Sequence, residues 1–104
     1  MNNPHPLPAW WVYILECSDG SLYTGITTEL ERRVEEHNSS PKGARYTKSR
    51  RPVHLVYAKV CPNRSDALKE EIRIKRMARQ EKLELIASSE VPASTQEAGA
   101  ERPS

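Results

Sequence analysis

Two runs of apolar, β-prone residues lie close together near the start of the chain. They are Trp10–Cys17 (WWVYILEC) and Ser21–Thr27 (SLYTGIT), with Ser18-Asp19-Gly20 between them. Turn-forming residues between two such runs predict a β-hairpin. A two-residue Asp19-Gly20 turn would pair Glu16 with Tyr23 and send Tyr13 and Tyr23 to opposite faces. A three-residue loop with Gly20 left-handed would pair Cys17 with Ser21 and Tyr13 with Gly25, leaving both phenols on one face. The turn residues leave both loops open, and we expect the three-residue one on a functional expectation for the two phenols, not on the pattern itself. Gly25 opposite Tyr13 would then leave an open space beside the phenol.

The period then changes from two to that of a helix. Leu30, Arg33, Val34 and His37 recur at i, i+3, i+4 and i+7, the spacing of one helix face. Thr28-Glu29-Leu30-Glu31 has the form of a capping box, and Ser39-Ser40-Pro41 ends the helix near Asn38. Arg33 and His37 are expected to edge the buried stripe, with Glu31, Arg32 and Glu35 outward. Residues 39–52 read as a basic loop with Tyr46 in its middle. A third strand is expected over Val53–Cys61. Asn63 or Ser65 then caps a second long helix to about Met77 or Arg79, and Gln80–Ala87 forms a shorter one. The predicted fold is α/β: a three-stranded antiparallel sheet flanked by helices, in the order β-β-α-β-α-α. Residues 1–9 read as a flexible Pro-rich arm, residues 10–87 as one domain, and residues 88–104 as a disordered tail poor in large apolar groups.

The second long helix carries an anomaly. On a wheel of about 100° per residue, Ala67, Leu68, Ile72, Ile74, Met77 and Ala78 spread over one broad side, and Asp66, Lys69, Arg73 and Arg76 cluster on the other. Glu71 falls near the centre of the apolar side and Glu70 at its margin. A carboxylate facing a core is costly unless it is paired or binds a cation. An ordinary ion pair, to Arg33 or to Lys75 one turn on, is the plainer of these two accounts.

Composition adds three constraints. The 104 residues hold 16 Lys and Arg against 14 Asp and Glu, a net charge of +2, enough chain for one small domain. The charge is uneven: between His37 and Ser65 stand Lys42, Arg45, Lys48, Arg50, Arg51, Lys59 and Arg64 with no acidic residue. Such a stretch suits a polyanionic partner. The two cysteines, Cys17 and Cys61, match no metal-ligand spacing and are expected to be reduced, structural thiols. No apolar run is long enough to span a membrane, and the N-terminus lacks the pattern of a signal peptide. The expected location is therefore cytoplasmic.

In combination these residues resemble the GIY-YIG nuclease superfamily. Tyr13, within Val12-Tyr13-Ile14, stands in the place of that family's first-strand tyrosine, and Tyr23-Thr24-Gly25 in the place of its second-strand Tyr-x-Gly. Arg33 follows ten residues after Tyr23, His37 four further on, and Glu71 lies inside the helix after the third strand. The resemblance covers about residues 10–82. It is closest to the short stand-alone bacterial members, with E-R-R-x-x-x-H and Lys-Gly-Ala-Arg before the third strand. Trp11 stands where the name-giving pattern has its first glycine, and Thr24 where it has its middle isoleucine.

The resemblance implies an endonuclease that hydrolyses phosphodiester bonds, with DNA as the expected substrate; branched and nicked forms, and RNA as an alternative to DNA, stay open. Tyr13, Tyr23, Arg33, His37 and Glu71 would form the catalytic set. Glu71, its ligand shell completed by water, would hold Mg²⁺ or Mn²⁺. Arg33 would stabilise charge on the phosphate. Tyr13 would take or position the proton of water, helped by cations that lower its pKa from about 10. Tyr23 would support it, and His37 would orient the group. Lys42, Arg45, Tyr46, Lys48, Arg50, Arg51 and Lys75 are the expected nucleic-acid contacts. A nucleic-acid-binding module that cleaves weakly or not at all is the alternative. An inward Glu71 argues against it, since a carboxylate repels phosphate.

Overall fold

The computed structural model describes residues 9–89. Most of the expected arm and tail therefore lies outside the described residues. The chain runs β1 (Trp10–Glu16), β2 (Leu22–Thr27), α1 (Leu30–Ser39), α2 (Arg45–Lys48), β3 (His54–Cys61), α3 (Arg64–Lys75) and α4 (Arg79–Ala87). The three strands form one antiparallel sheet in the order β2-β1-β3, so β2 is an edge strand.

The hairpin closes through the three-residue loop. Gly20 has φ +86°, a left-handed value that costs glycine little. The Cys17 amide donates to the Ser21 carbonyl at 2.9 Å and the Gly20 amide to the Cys17 carbonyl at 2.9 Å. Asp19 braces the turn by accepting from the Ser21 amide at 3.0 Å. Tyr13 pairs with Gly25 and Leu15 with Tyr23, which puts both tyrosines on one face. On the other side of β1, the register shifts between Ile14, opposite Tyr57, and Leu15, opposite Leu55.

Alternation along β1 divides the apolar residues between two layers. Val12 and Ile14 pack with Tyr57, Cys61, Ala67 and Ile74, under α3 and α4. Tyr13, Leu15, Cys17 and Val53 pack on the opposite face with Leu30 and Val34 of α1. Both cysteines are buried free thiols, as their spacing led us to expect.

Three local expectations are corrected. The Thr28 capping box does not form: α1 begins at Leu30, with Glu29 at the N-cap position and no side-chain cap. Strand β2 runs to Thr27, whose hydroxyl accepts from the Glu29 amide at 3.0 Å, so a turn one residue earlier takes the place of the box. Residues 39–52 are not all loop, since Arg45–Lys48 form α2. The Ala44 carbonyl organises it, accepting from the amides of Thr47 and Lys48, each at 3.1 Å, and from the Thr47 hydroxyl at 2.9 Å. Finally, His37 does not edge the buried stripe of α1 but is fully buried. Of the two expected caps, Asn63 is the one that caps α3, its side chain accepting from the Asp66 amide at 2.8 Å.

Candidate active site

The site grows outward from the phenol of Tyr13. Gly25 lies directly opposite on β2, and a Cβ there would come within 2.6 Å of the Tyr13 hydroxyl. The space that Gly25 leaves is therefore not open. The phenol itself fills it, lying across the edge strand. At that position the Tyr13 oxygen is 2.8 Å from His37 Nε2. The other imidazole nitrogen, Nδ1, is 3.0 Å from the Thr47 hydroxyl and accepts from the Ala44 amide at 3.3 Å. Tyr23 packs its ring edge-on to His37, with centroids 5.2 Å apart. Gly43 permits this arrangement: a Cβ would meet the Glu36 carbonyl at 2.6 Å and the His37 Cα at 2.9 Å. Only glycine lets the Lys42–Ala44 segment lie so close to the end of α1.

Electrostatics follows from this burial. Removal from water pushes the Tyr13 phenol well above a free tyrosine, and neighbouring Tyr23 adds to the rise. The Arg33 guanidinium pulls it down, but not enough to offset burial. Arg33 thus acts in the expected direction, and burial, which the sequence did not reveal, outweighs it. Burial, followed by the nearby Arg33 charge, pushes His37 down to about 4. At neutral pH its ring is an uncharged imidazole, able to give or take a proton.

Arg33 is held at the margin of the cluster. Its Nη1 donates to Glu36 Oε1 at 2.8 Å and to the Lys42 carbonyl at 2.9 Å. Glu71 approaches from the opposite layer, and its charge acts on the Tyr13 phenol. On α3, Ala67 and Ile74 are buried, and Glu70 and Glu71 lie between them on the same stripe. Their side chains are 15% and 16% exposed, so burial does not distinguish them. Partners do: Glu70 pairs with Lys59 of β3 and with Arg73, whereas Glu71 pairs with Lys75 at 3.3 Å. That is the ion pair which the sequence offered as the plainer account. Ile72, placed on the apolar side of the wheel, is 48% exposed.

Among the described residues, no three His, Cys, Asp or Glu side chains gather as a metal cage. The donor set here is one carboxylate, Glu71, paired with a lysine. That fits an ion which keeps most of its water shell, as Mg²⁺ does, and not one that needs several protein ligands.

The basic stretch divides in two. Lys42, Arg45 and Lys48 are exposed and make no ion pair among the described residues. Arg51 turns inward, its Nε donating to the His37 carbonyl at 2.6 Å and its Nη2 to the carbonyls of Ser40 at 2.6 Å and Glu36 at 3.2 Å. The first of these bonds satisfies a carbonyl that the end of α1 would leave free, and the other two add to carbonyls that already accept from the Gly43 and Ser40 amides. Arg50 pairs with Asp19 at 3.1 Å and covers the Tyr46 ring, 3.8 Å from its centroid. The structure also supplies residues that sequence reasoning missed: Glu36, Gly43 and Thr47. The i, i+3 spacing of Arg33 and Glu36 was a readable sign of the first. Nothing in the sequence marks Thr47 as the partner of His37.

Residues 9–84 match the family model of the GIY-YIG catalytic domain. A UPF0213 protein of Desulfotalea psychrophila is 59% identical over 83 residues, covering 80% of this chain and 76% of that protein. One from Syntrophus aciditrophicus is 58% identical over 76 residues, covering 73% and 87%. The solution NMR structure of a UPF0213 protein from Bacillus halodurans superposes with TM-score 0.54 at 40% identity, covering 84% of this chain and 92% of that one. With the family model matched over most of the chain, the chain belongs to the GIY-YIG family, in its short UPF0213 branch, and carries a nuclease-type domain.

Proposed function

We propose that this protein is a metal-dependent endonuclease that hydrolyses phosphodiester bonds in DNA. The observation that carries the reading is the 2.8 Å contact between Tyr13 and a neutral, buried His37, at a point where the charges of Arg33 and Glu71 also act. A phenol raised by burial supplies almost no free phenolate at neutral pH. The phenol can act without ionising: its oxygen accepts from His37 Nε2–H, and its own O–H is left to position the attacking water, whose proton passes to solvent. His37 Nδ1 accepts from the Ala44 amide, which leaves the ring proton on Nε2, donating to the Tyr13 oxygen. Tyr23 packs against His37 and fixes its ring. Arg33, held by Glu36, offers its remaining N–H groups to the phosphate as charge builds there. Glu71 would hold Mg²⁺ or Mn²⁺, which when bound supplies Lewis-acid stabilisation of the phosphate and the leaving oxygen.

One observation favours a binding module with little cleavage: Glu71 already has a partner in Lys75. A cleavage assay on a panel of DNA and RNA structures, with and without Mg²⁺, separates the two readings. Tyr13→Phe and Glu71→Gln should each lower the cleavage rate by roughly 10²-fold or more while binding survives. Cleavage undiminished in Glu71→Gln would overturn the metal role, and no cleavage by the unmodified protein on any substrate would leave the binding module.

A further inference from the structure

Beside the phenol cluster, a cleft of about 220 Å³ opens at the free edge of β2. It is lined by Leu22, Tyr23 and Thr24 of β2, Tyr46 of α2, Lys75 of α3 and Lys82 of α4. Both helical layers meet here, since β2 has no neighbouring strand beyond it. The cleft is smaller than the roughly 300–1,000 Å³ that encloses a whole small-molecule ligand, so it suits one unit of a longer one.

Its chemistry is divided. One wall is aromatic and braced: Tyr23 and Tyr46 lie nearly parallel, 23° apart with centroids 6.0 Å from each other. Arg50 covers Tyr46 and is itself tied to Asp19 and to the Tyr46 carbonyl. The other wall carries two ammonium groups and no carboxylate. Among the described residues, Lys82 has no acidic partner. The cleft is also joined to the candidate site at two points, through Tyr23, which packs on His37, and through Lys75, which pairs with Glu71.

We propose that this cleft seats the nucleotide next to the scissile phosphate, with its phosphate between Lys75 and Lys82 and its nucleoside against the Tyr23–Tyr46 wall. The inference rests on the nuclease reading above. It gives α4 a function, that of carrying Lys82 to the substrate strand.

The test uses the full chain and a fluorescent oligonucleotide carrying a cleavage position mapped in the panel assay. Binding is followed by anisotropy over a range of salt, with a chelator present to stop cleavage. Lys82→Ala should weaken binding roughly 3- to 10-fold and reduce the salt slope by about 0.7–0.9, the value of one phosphate contact. Lys69→Ala, on α3 but outside the cleft, should change neither. Circular dichroism checks that both variants fold. A second oligonucleotide replaces the single phosphate beside the cleavage position with an uncharged methylphosphonate. On it, the Lys82→Ala penalty should disappear. A penalty equal on both oligonucleotides, or equal to that of Lys69→Ala, overturns the subsite while the nuclease reading stands. Failure of the unmodified protein to bind or cleave any nucleic acid removes both.

Discussion

His37 is the residue on which most of the local physics converges. It is fully buried, contacts Tyr13 and Thr47, and has its pKa lowered from 6.5 to about 4, first by burial and then by Arg33. The sign of the linkage follows. Between pH 4 and 6.5 the unfolded chain binds a proton that the folded protein refuses, so stability falls as pH is lowered through that window and is fully present above it. The shift corresponds to about 3 kcal/mol. Urea titrations from pH 4 to 7 should show this loss, and His37→Gln should flatten it. An equally steep profile in His37→Gln would assign the pH dependence to other groups.

At the scale of elements, the basic segment after α1 performs two tasks that charge alone does not separate. Arg51 ties the segment to the end of α1 through three carbonyl groups, whereas Arg45 stands exposed on α2. Charge-assisted hydrogen bonds in partly buried settings contribute roughly 1.5–3 kcal/mol. Arg51→Ala should therefore lower unfolding stability by about 2–3 kcal/mol, and Arg45→Ala by less than about 0.5 kcal/mol. Arg45→Ala should instead weaken nucleic-acid binding. Denaturant midpoints and anisotropy on the same two variants check the division. A stable Arg51→Ala protein that had lost only affinity would return Arg51 to the interface.

Over the whole molecule, the sheet is covered by helices on both faces, and the candidate site lies at its β2 edge, where the two layers meet. The α3–α4 layer rests on fully buried Ile74, while Val60 on β3 is 52% exposed. Ile74→Ala should cost about 2–5 kcal/mol through lost contacts and the cavity left behind. Val60→Ala should stay within about 0.5 kcal/mol. Chemical denaturation distinguishes them directly. No helix among the described residues is long and apolar enough to cross a membrane.

The sequence by itself determined the strands, the long helices and the existence of the hairpin, whereas the loop length, and with it the shared face of Tyr13 and Tyr23, was decided by the structure. The first three depend on local signals: a period of two or 3.6, a glycine able to be left-handed, an asparagine cap. It also marked Glu71 as facing inward, because amphipathic spacing is a property of one helix. Tertiary structure decided the rest. Glu70 and Glu71 are equally buried, and the fold separates them by bringing Lys59 of β3 to Glu70, while Glu71 keeps the partner one turn on that the sequence offered. Arg51 and Arg45 look alike in the chain, but the end of α1 claims one of them. The protonation of Tyr13 and His37 was not legible either. Desolvation depends on how completely two layers close over a side chain, and no spacing of residues records that.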